Sequence, residues 1–167
     1  LALAAENIED FLIVSRSDST LRGHYPIETD VIAEELGPFD AHFLVPAFFE
    51  GGRVTRDSVH YLIIDGVPTP VHETEFARDS VFGYTHSYLP EYVEEKTKGR
   101  ILALAVERFL LSDIRSGTDI TNNFSTLDRL MYLQDDRCVV VDEENQEDLN
   151  RFATNVLNAS RQGEGFL

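Results

Sequence analysis

The sequence predicts an α/β fold: a three-layer sandwich with a mostly parallel sheet and an inserted β-hairpin. Three observations predict it. Short apolar runs alternate with amphipathic stretches, the rhythm of strand and helix in turn. The run Cys138-Val139-Val140-Val141 is apolar without a break, as in a strand covered on both faces. Two strand-like arms, residues 59–64 and 67–71, flank Asp65-Gly66, a strong hairpin signal.

The elements follow in chain order. Phe11 to Val14 reads as the first strand, and Pro26 to Leu36 as a helix with Ile27, Val31, Ile32 and Leu36 on one inward face. Pro26 suits a first helical turn and Gly37-Pro38 a stop. Ala41 to Val45 is a second strand, and Pro46 to Arg53 an irregular loop. In the hairpin, Pro68 and Pro70 place the second arm at a sheet edge, because proline cannot donate to a ladder. Residues 72–90 show no clear period, and long loops of this kind are often functional. Pro90 to Lys96 is a short helix, Ile101 to Val106 a strand, Leu110 to Arg115 a helical turn, and Phe124 to Leu133 a helix. Asn145 to Ser160 is the clearest helix, with Leu149, Phe152, Ala153, Val156 and Leu157 on one stripe. Gly165 to Leu167 reads as the start of another strand.

The chain has 167 residues and a net charge of −16. It is long enough for one domain with a real core. An evenly acidic surface argues against nucleic acid as a partner, since phosphate binding needs a basic footprint. Twelve of the fourteen positive charges are arginine, and Arg16, Arg22, Arg53, Arg56 and Arg78 fall in polar stretches of the first half. Planar guanidinium groups favour oriented anion contacts; ion pairing with the many carboxylates competes for each of them. The lone cysteine, Cys138, fits a core position and a reducing, cytoplasmic setting. No apolar run approaches a membrane span. The chain opens without methionine in a helical pattern, Leu1 to Asn7, which reads as the interior of a longer protein.

Several chemistries lack their signatures. There is no Walker A loop and no GxGxxG. None of the five histidines pairs at metal-ligand spacing, and no Cys-x-x-Cys occurs, so no metal site is expected. No GxSxG elbow supports a serine triad.

The stretch Ser15 to Gly23 is the informative one. It follows the first apolar run and precedes a helix, and ligands in open α/β sheets sit beyond the carboxyl ends of strands. Arginines pair with carboxylate or phosphate, and aspartate and hydroxyls bond to ligand hydroxyls. Together they suit a small hydroxylated acid. The same residues also serve as ordinary turn and cap residues.

Asp18-Ser19-Thr20-Leu21-Arg22-Gly23 resembles the signature of the four-carbon acid sugar kinases, long catalogued as a domain of unknown function. Further matches follow in order: Val45-Pro46-Ala47-Phe48 with Gly51-Gly52-Arg53, then residues 74–79 (Thr-Glu-Phe-Ala-Arg-Asp), Phe82-Gly83-Tyr84, and Glu94-Glu95-Lys96-Thr97. The resemblance runs from about Phe11 to Leu167. It implies a two-domain α/β kinase whose N-terminal domain binds the acid sugar and whose C-terminal domain binds ATP. The implied reaction moves the ATP γ-phosphoryl to a hydroxyl of a threonate, erythronate or oxo-tetronate type acid. Residues 1–167 would then be a partial N-terminal sugar-binding domain, without its opening Asp-Asp-Phe-Thr-Gly stretch and without the nucleotide domain. ATP and Mg²⁺ would belong to the intact protein, with none expected on this part.

By the resemblance, Asp18, Ser19, Arg22 and Gly23 are substrate-loop positions. Arg16, where many relatives have lysine nearby, joins them, as do Arg78 and Asp79, whose competing role is an ion pair that pins the long loop. Phe48, Phe49 and Phe76 read as loop or core anchors, and Glu94 to Thr97 as a solvated helix end. The expected partners are a small sugar acid, the missing nucleotide domain and a second copy of the chain. No catalytic residue is assigned. Some relatives carry a type III effector label, which implies the alternative of a non-catalytic binding or interaction domain.

Overall fold

The computed structural model describes residues 13–116 and 124–167. In chain order its main elements are α1 (Ile27–Leu36), β1 (Ala41–Leu44), β2 (Arg53–Arg56), β3 (Val59–Ile64), β4 (Val67–Pro70), α2 (Leu89–Lys96), β5 (Glu107–Phe109), α3 (Leu111–Ser116), α4 (Thr126–Leu130), β6 (Arg137–Val141) and α5 (Gln146–Ser160). They form two sheets, a parallel one in the order β1-β6-β5 and an antiparallel one in the order β2-β3-β4.

The uninterrupted apolar run of β6 explains the layering. Successive strand residues point to opposite faces. Val139 and Val141 enter a cluster with Phe109, Ile114, Leu130, Phe152 and Val156, from β5, α3, α4 and α5. Cys138 and Val140 enter a second cluster with Leu21, Tyr84, Leu89, Tyr92 and Val93. Both faces are therefore covered, and a central strand buried twice has no place for a polar residue. On the outer side of β1, Phe43 donates its N–H to Leu167 and Leu167 donates to Ala41, at 2.8 and 3.0 Å. Gly165 to Leu167 thus begins a strand-like pairing, parallel to β1.

The hairpin β3–β4 turns at Asp65 and Gly66, with φ of 51° and 81°. Positive φ at both positions is the type I′ geometry that matches strand twist. The proline-bearing β4 lies at the sheet edge, as its missing N–H donors require.

Four expectations are corrected. Ile13 and Val14 form no strand, and Phe11 and Leu12 lie outside the described residues, as does the helical reading of Leu1 to Asn7. The strand expected at Ile101 to Val106 is instead a 3₁₀ turn (Ala103–Ala105) followed by β5. Alternation there was too short to fix the start of pairing, which the neighbouring Val139–Val141 backbone sets. Helix α1 buries none of its residues; Ile27, Val31 and Leu36 are all more than half exposed. The helix at Phe124 to Leu133 shortens to α4, started by a Ser125–Asp128 capping box.

Asp142 helps to join the two sheets. Asp142, just past β6, is buried and accepts the N–H groups of Asp57 and Ser58 at 2.8 Å each. Those residues form the β2–β3 turn at φ 53° and 62°. Thr55 and Glu143 add two backbone hydrogen bonds beside it, at 2.8 and 3.1 Å. Asp142→Ala leaves two backbone donors without their acceptor, so stability should fall by roughly 2–4 kcal/mol. Urea unfolding of the variant and the parent measures the loss; a change within 0.5 kcal/mol, roughly that of a neutral surface substitution, would discount the latch.

Candidate functional site

The loop before α1 folds back on itself. Leu21 donates its N–H to the Asp18 carbonyl at 3.0 Å and takes φ 64°. A leucine in the left-handed region is uncommon and needs support from its surroundings. Here the support is explicit. Its side chain is buried among Tyr84, Leu89 and Tyr92. Three successive carbonyls of the loop each receive a donor from a different part of the fold. His60 Nε2 donates to Ser19 at 2.8 Å, the Tyr84 hydroxyl to Thr20 at 2.7 Å, and the Tyr92 hydroxyl to Leu21 at 2.9 Å. Burial raises both tyrosine hydroxyls well above their usual range, so they remain protonated donors. Burial pushes His60 down to about 4, so its imidazole is neutral at pH 7.

The clamped backbone presents Asp18 and Arg22 on its outer side. Asp18 Oδ2 accepts Arg22 Nε at 2.7 Å and the Thr20 hydroxyl. Arg22 Nε also donates to Thr20 Oγ1 at 3.1 Å. Burial alone would raise the Asp18 carboxyl, but the hydrogen bonds from Arg22 and Thr20 prevail and hold it below the usual carboxylate range. The Arg22 Nη atoms have no hydrogen-bond partner among the described residues. The guanidinium is centred 4.9 Å from the Phe76 ring.

Arg53 approaches the same ring from β2, at 5.8 Å, and lies 5.6 Å from Phe48. It donates Nη1 to the Gly51 carbonyl at 2.5 Å, and its buried Nε has no partner among the described residues. Arg56, Arg100, Arg115, Arg129 and Arg151 each pair with a carboxylate. Arg53 has none among the described residues. Two guanidinium groups against one aromatic ring, only one of them paired with a carboxylate, leave donors available for an anion.

The expected site residues divide. Asp18, Ser19, Arg22 and Gly23 stand together in the loop, and a Cβ on Gly23 would come within 2.9 Å of Ser17 Oγ. Asp79 lies near enough for its charge to act on Arg22. Its Oδ1 accepts the Val81 and Phe82 N–H groups at 2.8 and 2.9 Å, and these bonds lower its carboxyl. Arg78 does not pair with Asp79. It points outward, and neither Arg78 nor Arg16 makes a hydrogen bond or ion pair among the described residues. Glu94 to Thr97 is no solvated end: Glu94 accepts Ala103 N at 2.6 Å, Glu95 accepts Thr85 N at 3.0 Å, and Thr97 is buried. Phe48 and Phe76 carry the arginines, beyond anchoring their loops. The clamping roles of His60, Tyr84 and Tyr92 have no local spacing to mark them, although Tyr84 falls in the Phe82-Gly83-Tyr84 match; each lies 41 to 71 residues from the carbonyl it holds.

A cavity of about 490 Å³ adjoins the loop. Asp18 and Ser19 form part of its wall, and the rest is largely apolar, with Val14, Phe43, Leu149 and Phe152.

Comparison with known proteins places the chain. A family profile described as a sugar-binding N-terminal domain matches residues 1–167. The chain belongs to that family, in agreement with the four-carbon acid sugar kinase motifs read from the sequence. A D-erythronate kinase of Heliobacterium modesticaldum is 38% identical over 68 residues, which cover 41% of this chain and 15% of that protein. Among solved structures, a Bordetella bronchiseptica protein described as a domain of unknown function, with bound citrate, as a domain-swapped dimer, is 25% identical. Its TM-score is 0.61 over 99% of this chain and 34% of that one. A Haemophilus influenzae protein has a TM-score of 0.64 at 18% identity, over 90% of this chain and 34% of its own. The chain thus spans about a third of these solved relatives.

The Asp18–Arg22 pair gives a direct prediction. Because the folded carboxyl is lowered, Asp18 stabilises the fold above its unfolded value and loses that contribution as pH falls through its folded value. Arg22→Ala should move the Asp18 titration toward the ordinary aspartate range and reduce that acid-side dependence, leaving the part that Thr20 supplies. Carboxyl-carbon NMR titration of both proteins reads the shift; an unmoved Asp18 would show that Arg22 is not its partner in solution.

Proposed function

We propose that this chain is the acid-sugar-binding part of a kinase that phosphorylates a four-carbon sugar acid of the threonate, erythronate or oxo-tetronate type. The observation that carries the reading is the clamped loop, which turns Asp18 and the unpartnered Arg22 Nη atoms outward beside Arg53. Arg22, joined by Arg53, faces the carboxylate or the transferred phosphoryl group, and Asp18 accepts from a ligand hydroxyl. Ser19 and Gly23 shape the loop backbone around the ligand, and Asp79 orients Arg22 by its charge. Arg16 and Arg78 contribute charge from outside. Two relatives support this reading: the one named D-erythronate kinase, and the one solved with citrate, itself a hydroxylated carboxylate.

ATP with Mg²⁺ would supply the phosphoryl group in the intact protein. Among the described residues no three His, Cys, Asp or Glu side chains converge as a metal-binding group. We assign no residue of this chain to the nucleotide or the metal, and place both on a further domain. No described helix is long and apolar enough to cross a membrane; the setting proposed is cytoplasmic. The exposed Ile27, Val31 and Leu36 of α1 and the domain-swapped relative support self-association.

Calorimetry of the chain with D-erythronate tests the reading. The parent chain should bind, and Arg22→Ala should lose a charge-assisted hydrogen bond of roughly 1.5–3 kcal/mol. That is about a ten- to hundredfold weaker affinity at 1.4 kcal/mol per decade. Arg22→Lys should recover only part, because an ammonium cannot reproduce the guanidinium fork. Unchanged affinity in Arg22→Ala would remove the loop from the binding site and favour an interaction role for the domain.

A further inference from the structure

A second row of hydrogen bonds stands behind the loop clamp. Glu143, two residues past β6, is fully buried. Its Oε1 lies 3.2 Å from Thr55 Oγ1, which lies 3.0 Å from His60 Nδ1. His60 Nε2 in turn holds the Ser19 carbonyl at 2.8 Å. Glu143 Oε2 has no partner among the described residues.

With one proton in each contact and the Thr55 O–H used within the row, two arrangements are open. A carbonyl only accepts, so His60 Nε2 carries a proton. Thr55 has one O–H to give. In the neutral arrangement the Glu143 acid O–H donates to Thr55 Oγ1, and the Thr55 O–H donates to a bare His60 Nδ1. In the charged arrangement Thr55 donates to a Glu143 carboxylate, and a His60 imidazolium donates from Nδ1 to Thr55. The two hold the same number of protons and differ only in which oxygen or nitrogen carries them.

The surroundings choose between them. The charged groups acting on Glu143 are Asp142 and Asp148, both acidic. A carboxylate there would have one hydroxyl donor, a bare Oε2 and, among the described residues, its only cation, the His60 imidazolium, on the far side of Thr55; burying both charges without direct contact is costly. Around His60 stand the Arg53 guanidinium and the Asp18 carboxylate. An imidazolium would lie beside Arg53 in a fully buried position. Burial accordingly pushes the Glu143 acid well up and His60 down to about 4.

We propose that Glu143 is a positioning residue for the ligand loop: a neutral acid that, through Thr55, fixes His60 as its Nε2–H tautomer and so holds the Ser19 carbonyl. The role in ligand binding rests on the sugar-acid reading above; the proton arrangement does not. The arrangement also keeps separated formal charges out of the back of the anion site.

Nitrogen-15 NMR of the His60 ring, with amide shifts of Ser19 to Leu21 and calorimetry with D-erythronate, tests the proposal. The ring should show protonated Nε2 and bare Nδ1 from pH 5 to about 8, well above its lowered titration. An imidazolium, or the opposite tautomer, would overturn the proposal. Glu143→Ala should mix the tautomers, displace the loop amides and weaken D-erythronate about two- to tenfold, the range of one neutral hydrogen bond. Glu143→Gln, whose carboxamide N–H can replace the acid proton toward Thr55, should restore all three. An unmoved ring and loop in Glu143→Ala, or failure of Glu143→Gln to restore them, would overturn the role. If Glu143→Ala does not fold, Thr55→Val breaks the row one bond further on and Thr55→Ser restores it, with the same readouts. A parent chain that ignores D-erythronate would defeat the sugar-acid reading, while ring and amide shifts still decide the positioning role.

Discussion

Three consecutive carbonyls, those of Ser19, Thr20 and Leu21, set the terms for the rest of the molecule. A loop with a leucine at positive φ does not hold itself. It is held by His60 from the antiparallel sheet, Tyr84 from the irregular connection and Tyr92 from α2. Each donor is buried, so each bond is made in low dielectric, where it is strong and where its loss leaves an orphaned group. The outward Asp18 and Arg22 inherit their positions from this inner face. Rigidity on one side and free guanidinium donors on the other are two results of the same turn.

The donors can converge because the sheet covers both its faces. The side chains of β6 alternate between two clusters, and the second of these contains Leu21 with both tyrosines. The hairpin reaches the same point by another route. Asp142 fastens its first turn, and Thr55 pairs with Glu143. A buried polar network of this kind specifies one arrangement only when its members are satisfied. Glu143 Oε2 is the exception, and a neutral acid tolerates that exception far better than a carboxylate would.

Much of the frame was legible in the sequence. The Cys138 to Val141 run, the Asp65-Gly66 turn and the stripe on α5 are local patterns, and local patterns report secondary structure well. All five residues of that stripe line the cavity, and Leu149, Ala153 and Leu157 are less covered there than Phe152 and Val156. The ligand loop was legible from its chemistry, though its internal Asp18–Arg22 pair was not. What periodicity could not reveal was convergence from far along the chain. Arg53 looked like one arginine among several, and Phe76 like an anchor. His60 showed no partner at metal-ligand spacing, and its hydrogen bonds go instead to Ser19 and Thr55. The exposure of α1 was equally hidden, for an amphipathic stripe says which face is apolar and not what covers it.

The type I′ turn at Asp57 and Ser58 has a consequence for how the domain tolerates change in length. Strand side chains alternate with a period of two, so one residue added between this turn and His60 would send the imidazole to the opposite face. The Ser19 carbonyl would then lose its donor although no residue of the loop had changed. The far turn at Asp65 and Gly66 lies beyond His60 and faces open space. Insertions there would leave the spacing from Asp142 to His60 intact. Within one hairpin, the near half behaves as a ruler of fixed length, and the far half as free cord.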